Sequence, residues 1–139
     1  MEVGKTILNV IHNKVNMTLS VKPFGCMPSS GVSDGVQSLI TELYPGTIFL
    51  PIETTGDGDI NAFSRVQMVL SDAKRKAKKE FQGALESTGK RLEDIRAYVA
   101  DRPELRRPSY DYSHRPGVAG VAASYVMHVG ELMDRERSR

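Results

Sequence analysis

The sequence predicts an α/β fold: a small parallel sheet of the βαβ type, half of a Rossmann- or flavodoxin-like layer, with flanking helices. Three observations carry this reading. Apolar runs at residues 17–21 and 47–52 are separated by a helical stripe, the spacing of strand, crossover helix and strand. Each run opens into a loop rich in Gly, Pro, Ser or Asp, and a helix pattern follows each loop. Strands joined through a helix in this way are normally parallel and right-handed.

The elements follow in order. Val3, Ile7, Val10 and Ile11 fall on one face of a short helix, with Lys5, His12 and Lys14 toward water. His12 reads as a surface residue. The strand at 17–21 is expected to stop at Pro23, which has no N–H for a ladder. The next loop carries Gly25, Cys26, Ser29 and Ser30, and a helix is expected to start with Ser33 as cap and Asp34 in its first turn. Val32, Val36, Leu39, Ile40 and Leu43 form the apolar stripe of that helix. Tyr44-Pro45-Gly46 ends it, because Pro45 holds the preceding residue away from helical angles.

Thr47-Ile48-Phe49-Leu50-Pro51-Ile52 is nearly all apolar, as in a strand buried on both faces. The polar loop Glu53-Thr54-Thr55-Gly56-Asp57-Gly58-Asp59 leads into a long helix. Its buried stripe is Phe63, Val66, Val69, Leu70, Ala73, Ala77, Phe81 and Leu85. Lys74, Arg75, Lys76, Lys78 and Lys79 cover much of the opposite side, and Gly89 is placed to stop it. Leu92, Ile95 and Val99 mark a third short helix ending before Pro103. Three prolines, four arginines (Arg102, Arg106, Arg107 and Arg115), Tyr110 and Tyr112 make residues 102–117 a linker or a surface-hugging strap. Val118, Val121, Ala122, Tyr125, Val126, Val129, Leu132 and Met133 predict a final amphipathic helix. The expected organisation is therefore an α/β module over 1–101, the strap over 102–117 and a helix over 118–139.

Two strands are too few for an independently stable sheet. The helix stripes exceed what two strands can cover, so the chain reads as part of a larger α/β assembly or as a homo-oligomer.

Composition excludes several classes. The chain has 139 residues and a formal net charge of +2, with no Trp and 6% aromatic residues, which argues against nucleic-acid binding. One cysteine precludes an internal disulfide. The polar N-terminal stretch is no signal peptide, and no run approaches the roughly 20 apolar residues of a membrane-spanning helix. A cytoplasmic, soluble protein is expected.

Cys26 admits three readings: a small buried residue at a turn, a nucleophile, or a ligand of a metal or cluster. A nucleophile needs a base, and His12, His114 and His128 form no recognisable pattern with it. A cluster needs about four ligands, mostly thiolates, and the chain supplies one. Asp57, Asp59 and Asn61 imitate the start of a calcium loop, but Ala62 and Met68 occupy its required Gly and Glu positions. Asp57 or Asp59 therefore reads as a helix cap. The basic helix face and the Arg-rich strap are either solvated or met by an anion. Gly31, Gly35, Gly56 and Gly58 lack the Gly-Lys-Ser/Thr of a P-loop. His128 and Glu131 share a helix face without making a metal site. The two loops, with Gly25, Ser29, Ser30, Ser33, Asp34, Thr54, Thr55, Gly56 and Asp57, are expected to lie side by side at the carboxyl ends of the strands, where open α/β sheets bind ligands.

The run Val21-Lys-Pro-Phe-Gly-Cys-Met-Pro-Ser-Ser-Gly-Val-Ser-Asp-Gly-Val-Gln-Ser-Leu39, with Pro51-Ile-Glu-Thr-Thr-Gly-Asp-Gly58 and Ser64-Arg-Val-Gln-Met68, resembles a known family. It is similar to the C-terminal part of proteins related to 2-hydroxyacyl-CoA dehydratases and their ATP-dependent activators, over residues 17–82. The resemblance implies α/β subdomains around an oxygen-sensitive [4Fe-4S] cluster whose cysteines arrive from several subdomains. It implies that Cys26 is one such ligand, that the Ser29/Ser30 backbone supports an anionic cluster, and that the chemistry is electron transfer to a CoA thioester. No actin-like ATP domain and no second cysteine is present in the 139 residues. The expectation is thus not a complete enzyme but a C-terminal module, with a cysteine-rich dehydratase or activase polypeptide as partner. The rival expectation is a cofactor-free binding or assembly module holding a phosphate-bearing ligand at the same loops.

Overall fold

The computed structural model describes residues 2–55 and 59–138, and of residues 2, 32–34 and 59 the backbone alone. Among the described residues the chain is mixed α/β, with two parallel strands in one sheet and five α-helices. It divides into two compact units, Met1–Lys76 and Ala77–Arg139.

The first unit opens with α1 (Glu2–Ile11), whose Ile7 and Val10 are half-buried and whose Thr6 is buried. Asn13, at φ 45°, ends this segment in the left-handed region that Asn tolerates. β1 (Thr18–Pro23) and β2 (Phe49–Thr54) pair in parallel from Thr18 opposite Phe49 to Pro23 opposite Thr54. Both strands lie one to two residues later than the apolar runs suggest. Pro23 is the last paired residue of β1, a position where its missing N–H costs nothing.

The direction of the ladder follows from its ends. Thr18 N–H donates to Ile48 C=O at 2.8 Å, and Phe24 N–H donates to Thr54 C=O at 3.2 Å. With a period of two, even-numbered residues turn their backbone groups inward and odd-numbered residues turn theirs outward. Pro51 therefore sits on the outer edge of β2 without an N–H, and its C=O accepts from Arg65 Nη2 at 3.0 Å. That edge is closed at its centre. On the outer edge of β1, no partner among the described residues takes the backbone groups of Leu19 or Val21.

The faces are just as unequal. Leu50 and Ile52 are buried, but Leu19 and Val21, their register partners on the same face, are 41% and 60% exposed. Burial of β2 on both faces is confined to its centre; Phe49 and Pro51 are half-buried, and Glu53 and Thr54 are exposed.

The helix after β1 starts earlier than the Ser33 cap predicts. Gly25, at φ 75°, turns the chain, Cys26 N–H closes the turn on Pro23 C=O, and Ser30 N–H donates to Cys26 C=O at 2.9 Å. Cys26 thus takes the cap position. Pro28 falls in the first turn, where its fixed φ suits the helix and its lack of N–H leaves no bond unmade. Ser33 lies inside a π-helical stretch, Ser29–Asp34, that runs directly into α2 (Gly35–Leu43). The apolar stripe of α2 is only partly used: Ile40 is buried, while Leu39 and Leu43 are exposed. Its other buried side chain is Gln37, whose Nε2 donates to Thr6 Oγ1 at 3.1 Å and ties α2 to α1.

α3 (Asp59–Ser87) contributes to both units. In the first unit it buries Ala73 and leaves Phe63 exposed, so the predicted stripe is uncovered at its first residue.

The second unit adds α4 (Leu92–Ala100), a 3₁₀ turn (Pro103–Arg106) and α5 (Val121–Arg137). Gly89, at φ 63°, follows α3 as the sequence predicts. Ile95, Val126 and Val129 form the core, with Phe81, Leu85, Tyr98, Val99, Tyr125 and Met133 packed around it. Residues 102–117 are strapped to this core. Leu105 is buried, Tyr125 Oη donates to its C=O at 2.7 Å, and Arg115 N–H donates to Ser124 Oγ at 2.8 Å. α4 and α5 are clasped by Glu136, which accepts from Tyr98 Oη at 2.7 Å and from Arg102 Nη2 at 2.6 Å. The Arg102 guanidinium also lies 3.6 Å over the Tyr98 ring, a cation–π contact.

Candidate functional site

β1 and β2 end side by side, with Phe24 N–H donating to Thr54 C=O at 3.2 Å just past the last paired residues. Their junction is built on a strand residue outside the loop motifs, Lys22. Lys22 is 3% exposed, and its Nζ donates to Ser30 Oγ at 3.0 Å and pairs with Glu53 Oε1 at 3.3 Å. Thr54 Oγ1 donates to Lys22 C=O at 3.2 Å. One ammonium thus ties the end of β1, the start of the following helix and the end of β2. The signal was available in the sequence: each apolar run is followed by a charge, Lys22 and Glu53, at the penultimate position of its strand, and parallel register sets these two opposite.

Cys26 is half-buried at the helix start, and its Sγ–H donates to Ser29 Oγ at 3.4 Å. Ser29 and Ser30 are half-buried beside it, and Gly25 is exposed at the turn. Thr54 and Thr55 are exposed at the end of β2. Ser33 and Asp34 belong to the π-helical stretch, and Gly56 and Asp57 lie outside the described residues. The structure therefore gathers Cys26, Ser29, Ser30, Lys22 and Glu53 around one strand end. Chemically, the cluster offers one thiol, two hydroxyls and an internally neutralised ion pair.

A cluster or metal ion places a stricter demand on this donor set. An iron–sulfur centre takes about four ligands, mostly thiolates. The chain has one cysteine, and among the described residues no group of three or more His, Cys, Asp or Glu side chains is placed to hold a metal ion. Its own residues do not fit such a group. No helix among the described residues is long and apolar enough to cross a membrane.

Fold and site together define a mixed α/β protein with a thiol-bearing loop at the end of a two-stranded parallel sheet. Compared with known protein families, curated proteins and solved structures, the chain matches none.

Proposed function

We propose that the protein is an assembly module whose sheet continues on a larger, cysteine-rich polypeptide of the dehydratase or activator type, with Cys26 brought to the joint as one ligand of a shared site. The open outer edge of β1 carries this reading. Among the described residues the outward backbone groups of Leu19 and Val21 have no partner and their apolar side chains are exposed, whereas Pro51 and Arg65 close the opposite edge. An added strand would satisfy the backbone groups and cover the apolar surface at once. Cys26 follows closely on the end of β1, so a strand added to this edge would bring the partner to the same end of the sheet as the thiol. A cluster at this joint would belong to the assembly, because this chain contributes one donor.

The test mixes the chain with such a polypeptide under anaerobic conditions, with iron and sulfide, and follows complex mass and cluster absorption. Val21→Pro removes an N–H that points away from β2, so it blunts the open edge and leaves the β1–β2 ladder whole. A complex lost in Val21→Pro, with absorption diminished in Cys26→Ala, is the expected result. No complex with the partner, or one indifferent to Val21→Pro, sinks the assembly reading. Absorption indifferent to Cys26→Ala sinks the ligand role.

A cofactor-free reading, in which the loops hold a phosphate-bearing ligand, draws on the Lys22 ammonium beside Ser30. Glu53 neutralises that ammonium, which places this reading second. A thermal shift with nucleotides or CoA that survives Cys26→Ser would favour it.

A further inference from the structure

We propose that the cleft between strap residues 113–116 and α5 binds a small tetrahedral oxyanion, the phosphoryl group of a phosphate monoester, between Arg115 and Arg135. This site lies wholly in the second unit and does not depend on the reading of Cys26. The cleft has a volume of about 290 Å³ and is lined by Ser113, His114, Arg115, His128, Glu131 and Arg135, among others. A water in the liquid occupies roughly 30 Å³, so a phosphoryl group fits with part of its hydration.

The lining is rich in donors and poor in acceptors. Ser113, His114 and Arg135 are exposed, and among the described residues none of their side chains has a hydrogen-bond or ion-pair partner. Arg115 is paired with Glu131, the single carboxylate in the lining. A guanidinium presents five N–H groups in a rigid fork, so one carboxylate leaves further donors for a second anion. Two guanidinium groups against one carboxylate give a net positive cleft. Two cations approaching from different elements match a dianion with several oxygens better than a monovalent one.

His128 supplies a rigid wall. Its Nε2 is 2.9 Å from Tyr110 Oη, and its ring stacks on Tyr112 with centroids 5.3 Å apart. Burial pushes its pKa below the ordinary histidine value, and Arg115 and Arg135 push it further in the same direction. The same positive field attracts an anion. Metal binding is the competing use of His114, His128 and Glu131, but among the described residues they do not converge on a metal position.

The test is titration of the full chain with inorganic phosphate by calorimetry and by amide NMR, with sodium chloride holding ionic strength constant. Saturable binding is expected, with shifts concentrated at residues 113–116 and 128. Arg135→Gln, whose side chain has no hydrogen-bond or ion-pair partner among the described residues, is expected to weaken binding about tenfold or more, the scale of one charge-assisted hydrogen bond. Arg96→Gln, an equal loss of charge on α4, is expected to leave it unchanged. Absence of saturable binding, an equal response to chloride alone, or equal losses in Arg96→Gln and Arg135→Gln would each overturn the proposal.

Discussion

The Glu80 carboxylate clamps the start of the last helix, accepting from Gly120 N–H at 2.8 Å while its other oxygen accepts from Ala119 N–H at 2.8 Å. Gly120 caps α5, so a negative side chain meets the positive end of a helix and satisfies donors that would otherwise be unpaired. Glu80→Ala is expected to destabilise the second unit by about 2 kcal/mol, the range for hydrogen bonds to a charged group. Urea unfolding measures it, and a loss below a few tenths of a kcal/mol would contradict the clamp.

Gly130 marks the closest approach of α5 to the turn after α3. A Cβ there would lie 2.8 Å from Thr88 Cγ2 and 3.1 Å from Thr88 Cβ. Gly130→Ala should cost about 1–3 kcal/mol through overpacking, despite the better helix propensity of Ala. Adding Thr88→Ser removes the offending methyl and should recover part of that loss. Additive losses in the double variant would show that the two residues do not conflict.

Lys22 and Glu53 separate the cost of breaking a pair from the worth of having it. Glu53→Ala leaves a buried ammonium less compensated and should cost about 1–2 kcal/mol, given that Glu53 itself is 43% exposed and screened by water. Lys22→Met removes the charge altogether and should stay within about 1 kcal/mol of wild type. Chemical denaturation of the two variants decides; a larger loss for Lys22→Met reverses the reading.

His128 makes the second unit sensitive to pH. Burial first, then Arg115 and Arg135, hold its folded-state pKa below the ordinary value of 6.5. As pH falls through 6.5, the unfolded chain binds this proton before the folded chain does. The contribution to stability is therefore full above that pH and declines below it, until the folded imidazole also protonates. Urea midpoints on either side of 6.5 should fall on the acid side, and less steeply in His128→Gln. Equal slopes would exclude His128 as the cause.

The second unit was the more legible part of the sequence. Gly89 fixed the end of α3, and Leu92, Ile95 and Val99 found α4, because a left-handed glycine and an apolar stripe are both local signals. The strap was visible only as composition. What fastens it, Tyr125 to Leu105 and Ser124 to Arg115, joins residues far apart in sequence and leaves no periodic trace. In the first unit, periodicity located both strands and α2, yet it overstated burial at Leu39, Leu43 and Phe63, since a stripe records what a helix can cover and not what covers it. Ser33 attracted the cap assignment because Ser is a favoured cap residue; Gly25 and Pro28 instead begin the helix at Cys26. At the site, the thiol and the glycines carry the recognisable sequence pattern, whereas the link between the strands is the Lys22–Glu53 pair.

The tyrosines of the strap and the last helix have one further consequence. The chain has no Trp and five Tyr, of which Tyr98, Tyr110, Tyr112 and Tyr125 all lie in the second unit. Each of these four phenols is hydrogen-bonded, and Tyr110, Tyr112 and Tyr125 share ring contacts. Ultraviolet emission and near-ultraviolet dichroism therefore report mainly on residues 77–139, with Tyr44 the one tyrosine of the first unit. A melting curve recorded that way is weighted toward the second unit, and a label placed on Cys26 would follow the thiol-bearing sheet by itself.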